Sequence, residues 1–291
     1  MEHVGTISRG EPPLALQDAL RRSWPWLLAL LLILGLVFQD IVAAMVRVWA
    51  DDENNSHGFL VPLVSLYLIA TRRDRLATAQ VTPCAWGLWI SVLGVVMLLA
   101  GWVSTEFFTM RASLVVILYG TVLYWYGWEV MRLLGGPLLY LLLMIPVPAV
   151  VYDALAMPLR GFVTMVSVWI MKSLGVLVLR EGNVMLFPNI TLEVVNACSG
   201  LRSLTSLLAL AVAFALLFQK SAVTRWILAL LALPIAVITN IGRVVATGVL
   251  SQYFGAAAAE GFFHEFAGMV IFITALALLF AAHLVLRRFD S

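Results

Sequence analysis

Residues 24–46 have the sequence WPWLLALLLILGLVFQDIVAAMV, a long apolar run that follows the basic pair Arg21 and Arg22. A helix needs about 20 consecutive apolar residues to cross the hydrocarbon core of a bilayer. The run is longer than a signal-peptide core of about 7–15 residues, and no small-residue cleavage site closes it. We therefore expect a retained membrane span rather than a cleaved signal.

The whole chain has the composition of a membrane protein. It has 291 residues, of which 63% are hydrophobic and 12% charged, and its mean hydropathy is +1.00. Soluble domains carry about 25% charged residues, so this chain lacks the polar surface that a water-soluble globule needs. A net charge of +2 gives no indication of a nucleic-acid partner. We expect a cytoplasmic N-terminal arm over residues 1–23 and one polytopic membrane domain over residues 24–288.

Further apolar runs predict an all-α integral membrane bundle of about eight transmembrane helices, because lipid offers no hydrogen-bond partner to a non-helical backbone. Lysine and arginine cluster in loops that the positive-inside rule assigns to the cytoplasm, and this puts both termini inside. The acidic loop over residues 51–57 is then outside. The predicted spans are 24–45, 58–71, 85–103, 111–127, 130–147, 200–218, 224–247 and 266–286.

The apolar stretch 154–179 does not fit this alternation. Counting spans from either terminus places both of its ends outside, so we expect an interfacial or re-entrant helix there. Its charged residues, Arg160 and Lys172, agree with that expectation, because a charge at mid-bilayer costs at least about 2.5–3.5 kcal/mol. The alternative is a ninth span, which would reverse the orientation of one half of the chain.

The segment after the stretch 154–179 contains a possible nucleophile, Cys198. Residues 182–196 contain a Pro-Asn turn signal and alternating apolar residues, which predict a short outer β-hairpin. Cys198 stands between this hairpin and an apolar helix, and a helix N-terminus favours the reactive thiolate form. Ser199 and Gly200 leave room around the sulfur, and Arg202 adds positive charge one turn on. The alternative for Cys198 is a small buried apolar residue, the commonest fate of a free cysteine.

Two further residues could complete a site. Arg243 lies within an apolar helix with Asn240 one turn away, and its planar guanidinium suits an oxyanion. The alternative is an arginine that extends to the lipid headgroups. His264 precedes the last span and could transfer protons. Since Cys198, Arg243 and His264 each fall at the outer end of a different span, we expect them to meet, and a thiol beside a base indicates covalent catalysis.

The remaining polar residues have smaller predicted roles. His57 opens the second span from outside and could line the site, as could Glu193, or His57 could bind a lipid headgroup. Cys84 and His283 fall near the cytoplasm, so we expect both to be structural and no disulfide to join Cys84 to Cys198. The sequence contains no Walker loop, no HEXXH motif and no cluster of metal ligands, so we expect no cofactor and no metal.

Six short motifs occur in an order that resembles the exosortases, and the similarity extends from about residue 24 to residue 286. The motifs are Ser56–Pro62 (SHGFLVP), Ile145–Pro148 (IPVP), Arg180–Asn183 (REGN), Ala197–Ser203 (ACSGLRS), Asn240–Arg243 (NIGR) and His264 with Gly268.

The resemblance implies a cysteine protease or transpeptidase of the inner (cytoplasmic) membrane. Its partners would be exported proteins that end in a Pro-Glu-Pro motif, a transmembrane helix and a basic tail (the PEP-CTERM signal), in bacteria that often secrete polysaccharide. Cys198 would be the nucleophile, Arg243 the essential cation and His264 the proton-transfer residue. Some exosortases carry arginine at the position of His264, which makes that role the least fixed.

Two other functions would fit a polytopic membrane protein. An acyl or glycosyl transferase would need an outer carboxylate or metal cluster, and only the acidic loop 51–53 favours it. A transporter would need a polar site at the membrane midplane with paired half-repeats. The polar residues cluster instead at one end of the spans, which counts against a transporter.

Overall fold

A computed structural model describes residues 15–52, 54–188, 190–193, 200–255 and 262–289, without the side chains of 200–203, 253–254, 262–265 and 267. Most of these residues are helical. The chain divides into two compact units: residues 1–44 with 65–142, and residues 45–64 with 143–291. The helices are α1 (Leu16–Asp51), α2 (Leu60–Ala70), α3 (Arg73–Thr78), α4 (Trp86–Ser104), α5 (Phe107–Tyr140), α6 (Ala149–Ser173), α7 (Gly200–Phe218), α8 (Ala222–Phe254) and α9 (Phe262–Arg287).

Six helical segments in the described ranges are long and apolar enough to cross a membrane, which confirms a multi-pass protein. They are residues 16–51, 86–104, 107–144, 149–173, 222–252 and 268–287. The predicted spans 58–71 and 200–218 correspond to shorter apolar helices, residues 56–70 and 204–218, so the count of eight is not confirmed. Because α6 is among the six by length and hydropathy, an interfacial or re-entrant helix at 154–179 stays a prediction.

Large apolar side chains cover the exterior of many helices. Trp26, Val103 and Val150 are 71%, 78% and 81% exposed. Contiguous exposed apolar surface of this kind destabilises a protein in water and is the normal outer surface of a protein in lipid.

The predicted spans 111–127 and 130–147 are two helices joined by a sharp break inside α5. The break is at Gly127, whose φ of 81° and ψ of −170° lie in a region that only glycine enters readily. A Cβ atom at this position would lie 1.9 Å from the backbone oxygen of Thr82. After the break, α5 continues to Tyr140 and is followed by a 3₁₀ helix at Leu141–Met144.

We expect Gly127→Val to destabilise the protein strongly, since it combines a strained backbone, costing about 1–3 kcal/mol, with a clash against main chain that cannot move aside. The check is the amount of monodisperse protein that survives a heating series in detergent. Gly135→Ala is the matched control in the same helix, because its Cβ would meet only side chains, the nearest at 3.5 Å. Equal survival of the two variants would contradict the role of Gly127.

In the first unit, α4 and α5 form a tight pair because glycines recur every seven residues on α4. Cβ atoms at Gly87, Gly94 and Gly101 would each come within 3 Å of backbone or side-chain atoms of α5. Small residues at such spacing let two helix backbones approach closely, which is a common way to pack helices in membranes. The carboxylate of Glu106 caps the start of α5 by accepting hydrogen bonds from the backbone N–H groups of Phe108 and Thr109.

In the second unit, α7, α8 and α9 share one hydrophobic core. Leu207 of α7, Leu228 of α8 and Leu279 of α9 are all fully buried in it. The connection between α7 and α8 has only three residues, 219–221, so these two helices run antiparallel. Ser221 caps α8, its hydroxyl accepting a hydrogen bond from the N–H of Val223 at 3.2 Å.

A small antiparallel sheet precedes α7. Its strands are β1 (Leu179–Glu181), β2 (Val184–Leu186) and β3 (Thr191–Glu193), in the order β1-β2-β3. The predicted hairpin is confirmed as β2 and β3, in which Met185 pairs with Leu192, and β1 adds a third strand. The inner face of the sheet packs against α6 and the second half of α8 through Met171, Phe187 and Val244. Residues 194–196 of the predicted hairpin lie outside the described residues.

Candidate active site

The sheet leads directly to the segment that carries the predicted nucleophile. β3 ends at Glu193, which is exposed, and α7 begins at Gly200. Cys198 and Ser199 lie outside the described residues, and Arg202 is described only as part of the first turn of α7. The predicted apolar helix after Cys198 is present as α7, whose described part begins at Gly200, and a helix start directly after Cys198 stays a prediction.

Because α7 and α8 are antiparallel, their residue numbers indicate which positions of the two helices lie side by side, at the same level along the helix axes. Gly200 and Asn240 are each 18 residues from the helix ends that the short connection joins (218 − 200 and 240 − 222). In an antiparallel pair with a short connection, such positions lie opposite each other. Arg243 lies one turn beyond Asn240, on the same face of α8. It therefore lies about one turn beyond the level of Gly200, the first described residue of α7.

Arg243 also faces α9, where its guanidinium lies against Gly268. A Cβ atom at Gly268 would be 3.6 Å from Nη2 and 3.8 Å from Cζ of Arg243. His264 lies four residues before Gly268 in the same helix, so the two residues share a face. The arginine is half-buried and Asn240 is 7% exposed. The structure thus brings the Arg243 guanidinium to the face of α9 on which His264 lies.

We expect the size of residue 268 to control the position of Arg243. Gly268→Ala should be tolerated, because the added methyl group makes ordinary contact at 3.6 Å. Gly268→Leu should displace the guanidinium and lower the stability of the protein, since overpacking of this kind costs about 1–3 kcal/mol. The check is the amount of monodisperse protein that survives a heating series in detergent. Equal survival of the two variants would show that this contact does not matter.

His57 lies in a 3₁₀ helix, Ser56–Phe59, that is held by backbone carbonyls of the segment 143–144. The Nε2 atom of His57 donates to the carbonyl of Leu143 at 3.2 Å, and Nε1 of Trp49 donates to the carbonyl of Met144 at 2.8 Å. Both carbonyls are available because Pro146 and Pro148 have no N–H with which to continue the helix. The IPVP motif therefore creates two acceptors that fix the histidine and the tryptophan.

Gly58 allows this arrangement. A Cβ atom there would lie 2.3 Å from Nε1 of Trp49, so a larger residue would force the tryptophan off its carbonyl. The adjacent turn is held by the carboxylate of Asp52, which accepts from the backbone N–H of Asn54 at 2.9 Å and from the side chain of Asn55 at 2.6 Å. The carbonyl of Asn54 in turn accepts from the hydroxyl of Thr205 on α7 at 3.5 Å.

Burial lowers the pKa of His57 below its ordinary value, and backbone hydrogen bonding to Leu143 and Asn54 opposes this in part. A neutral imidazole is thus favoured near pH 7. In that form, with Nε2–H donating to a carbonyl, the lone pair of His57 is on Nδ1. Nδ1 is buried.

Other cysteine and histidine residues have packed surroundings. Cys84 is a free, half-buried cysteine that packs beside Leu123 and Ile90. His283 is 5% exposed, and its Nδ1 lies 3.1 Å from the side-chain amide nitrogen of Gln219. Among the residues that the structure describes, no group of three histidine, cysteine, aspartate or glutamate side chains could hold a metal ion.

Sequence reasoning singled out Arg243, His264 and His57 but did not identify the contacts that hold them. The two prolines of IPVP could have indicated the His57 contact. Each lacks the N–H that would bond a carbonyl of the preceding helical turn, so that carbonyl can accept from another group. Gly268 was noted only as part of a motif, and its contact with Arg243 depends on the register between α8 and α9.

The family model described as "Transmembrane exosortase (Exosortase_EpsH)" matches residues 49–281, which is most of the chain. The protein belongs to this family, as its motifs indicated. No match was found among functionally curated proteins or among solved structures. Membership in the family identifies a multi-pass membrane protein of the peptidase or transpeptidase type that acts in protein sorting.

Proposed function

We propose that this protein is a cysteine transpeptidase that cuts the C-terminal sorting signal of exported proteins at the outer face of the inner membrane. Its substrates would end in a Pro-Glu-Pro motif, a transmembrane helix and a basic tail. The released protein would pass to an acceptor amine or hydroxyl, or to water. Both termini of the enzyme would be cytoplasmic.

The observation that carries this proposal is the contact of the Arg243 guanidinium with Gly268, on the helix face that also bears His264. A second observation supports it: the described part of α7 begins at Gly200, two residues after Cys198 in the sequence, and Arg243 lies about one turn beyond the level of Gly200. A helix N-terminus stabilises a thiolate, and a guanidinium stabilises the oxyanion that forms when the thiolate attacks a carbonyl. These groups are what acyl transfer through a cysteine requires.

The proposed mechanism has two steps. The Cys198 thiolate attacks the peptide carbonyl beside the signal helix, and Arg243 together with N–H groups at the start of α7 binds the oxyanion. Asn240, Ser199, Gly200 and Arg202 would shape this pocket, and Glu193 would border it on the side of the sheet. His264 then donates a proton to the leaving amine, the C–N bond breaks and the signal helix departs. The acyl group remains on sulfur as a thioester until an acceptor attacks it.

A membrane acyl or glycosyl transferase that uses lipid-linked donors is the strongest alternative. It would rely on the acidic loop 51–53. In the structure, however, both carboxylate oxygens of Asp52 already accept hydrogen bonds from Asn54 and Asn55, which is a structural use of that group.

The test is a processing assay. A secreted reporter that ends in a Pro-Glu-Pro motif, an apolar helix and an arginine-rich tail is co-expressed with the enzyme, and the reporter's size is read on a gel. A membrane-impermeant maleimide applied to intact spheroplasts should label Cys198 in the wild type and leave a Cys198→Ala variant unlabelled. A reporter that stays unprocessed although the enzyme is active and inserted would reject the proposed substrate. Labelling of Cys198 only from the cytoplasmic side would reject the proposed topology.

A further inference from the structure

We propose that Arg160 and Arg180, together with Asn183, bind the phosphate group of an anionic phospholipid. The proposal gives a role to the motif Arg180–Asn183, which the proposed function leaves without one, and it stands independently of that function. All of these residues lie in the second unit, on α6 and on the turn that joins β1 to β2.

The first support is the position of Arg180 in the sheet. Arg180 pairs with Met185, so its side chain lies on the same face as Met185, which is the inner face toward α6. Its Nε donates to the carbonyl of Gly182 at 2.8 Å. This bond holds the guanidinium within its own turn and leaves the Nη donors for another acceptor. A phosphate is a good acceptor for such a planar pair of donors.

The second support is the arrangement around Gly161 of α6. A Cβ atom at Gly161 would lie 3.8 Å from Nη2 of Arg180 and 3.8 Å from Oδ1 of Asn183. The guanidinium and the side-chain amide therefore approach the same point of the helix, and the amide brings two further N–H donors to it. Because glycine has no side chain, this point is open to a ligand.

The third support is Arg160, the residue before Gly161. It lies four residues from Ala156 and four from Thr164, both fully buried, so it belongs to the buried face of α6. Its Nε is buried and has no hydrogen-bond partner among the described residues, which is unfavourable for a charged group. Since neighbouring Cα atoms are about 3.8 Å apart, a phosphate against Gly161 lies within reach of both arginine side chains.

The charge around this point favours an anion. Among the residues that the structure describes, no carboxylate forms an ion pair with Arg160 or with Arg180. Glu181 follows Arg180 directly, but successive side chains of a strand point to opposite faces, so its carboxylate is on the outer face of the sheet. Two positive charges therefore meet at Gly161 without a negative charge to balance them.

The adjoining surface indicates that the anion belongs to a lipid. Phe162, Met165 and Trp169 are exposed and are spaced by three and four residues, so they form one apolar face of α6 that begins beside Gly161. This face extends about 10 Å along the helix. A cationic site at one end of an apolar face fits a molecule with an anionic headgroup and an acyl chain, and tryptophan is favoured at the level of the headgroups.

The site also bears on how α6 meets the membrane. Arg160 is the twelfth of the 25 residues of this helix. A phosphate bound there would place the middle of α6 at the headgroup layer, where an interfacial helix lies. It would also explain an arginine in the middle of an apolar helix, a position that is unfavourable inside hydrocarbon.

The experiment uses the full-length protein, purified in detergent, with dioleoyl phosphatidylglycerol as the probe. Native mass spectrometry counts the lipid molecules that stay bound along a titration. We expect the wild type to bind one phosphatidylglycerol more tightly than any further copy, and more tightly than dioleoyl phosphatidylcholine. Arg160→Gln and Arg180→Gln should each weaken the binding of that molecule by about 10-fold or more, the usual effect of losing a hydrogen bond between charged groups.

Lys172→Gln is the matched control and should bind the lipid as the wild type does. It removes the same charge from an exposed position of the same helix, about 18 Å from Arg160 along the axis. Gly161→Leu tests the geometry without a change of charge, because its side chain would occupy the place of the phosphate. Arg180→Lys tests the same point with a smaller risk to folding, since lysine keeps the charge but lacks the planar fork. Both should lose the tight molecule.

Three results would overturn the inference. The first is tight binding of phosphatidylglycerol by both glutamine variants. The second is an equal loss in Lys172→Gln, which would show an effect of net charge alone. The third is that the glutamine variants keep the lipid but no longer process the reporter, in which case the two arginines bind a carboxylate of the substrate instead.

Discussion

Cys198→Ala is expected to leave the reporter entirely at precursor size, with more than about a 1,000-fold loss of processing. The reason is that covalent catalysis has no substitute when the nucleophile is removed. Cys198→Ser should be nearly as inactive, because a serine hydroxyl is far less ionised than a thiol in the same place. The measurement is the ratio of processed reporter to precursor on an immunoblot, at equal amounts of enzyme in the membrane.

Cys84→Ala is the matched control for this experiment. Cys84 is half-buried in the first unit and packs against apolar neighbours, so its replacement should leave processing near wild type. A Cys198→Ala enzyme that processes the reporter as well as Cys84→Ala does would exclude Cys198 as the nucleophile. The family assignment would stand in that case, but the cysteine mechanism would not.

Arg243→Lys is expected to lower processing by about 100- to 1,000-fold while the protein stays inserted. Lysine keeps the charge but lacks the planar fork of donors, and loss of an oxyanion donor costs roughly this much in other acyl-transfer enzymes. The guanidinium of Arg243 reaches from α8 to Gly268 on α9. The ammonium group of lysine would place the positive charge at a different point.

Arg287→Lys provides the comparison, since Arg287 is an exposed residue in the last turn of α9. It should process the reporter normally. If the Arg243→Lys enzyme processes the reporter normally, Arg243 is only an anchor at the membrane interface. Its position near a helix end allows that alternative. A variant that fails to accumulate in the membrane would instead show a structural role, so the amount inserted is measured in the same samples.

Much of the fold followed from hydropathy alone. The runs at 24–45 and 224–247 lie within α1 and α8, and the run at 85–103 matches α4 to within one residue at each end, because a strongly apolar stretch has few alternatives to a helix in lipid. The hairpin signal near Pro188 also predicted the correct pair of strands.

The predictions differ from the structure where a contact with a distant part of the chain determines the local structure. β1 at Leu179–Glu181 shows no marked alternation of its own and depends on pairing with β2. The break at Gly127 looked like a loop between two spans, because the sequence does not reveal that the backbone of Thr82 passes beside it. Likewise, the predicted span 130–147 overruns the helix end at Tyr140, where a 3₁₀ turn takes over before the prolines.

The candidate site, like the fold, could be predicted from the sequence only in its local features. Sequence reasoning identified Arg243 from the cost of a charge in an apolar helix, a local property. It could not specify that Gly268 would face the guanidinium, since that depends on how α8 and α9 pack. His57 was noted only as a possible site residue, because its hydrogen bond to Leu143 joins segments that are 86 residues apart.

The packing of the small sheet also bears on biosynthesis. Met185 and Leu192 are buried partly by Val244 and its neighbours on α8, which the ribosome makes some 50 residues later. During translation the sheet therefore emerges before the surface that buries its inner face exists. The sheet can reach its final packing only after α8 has been made and inserted.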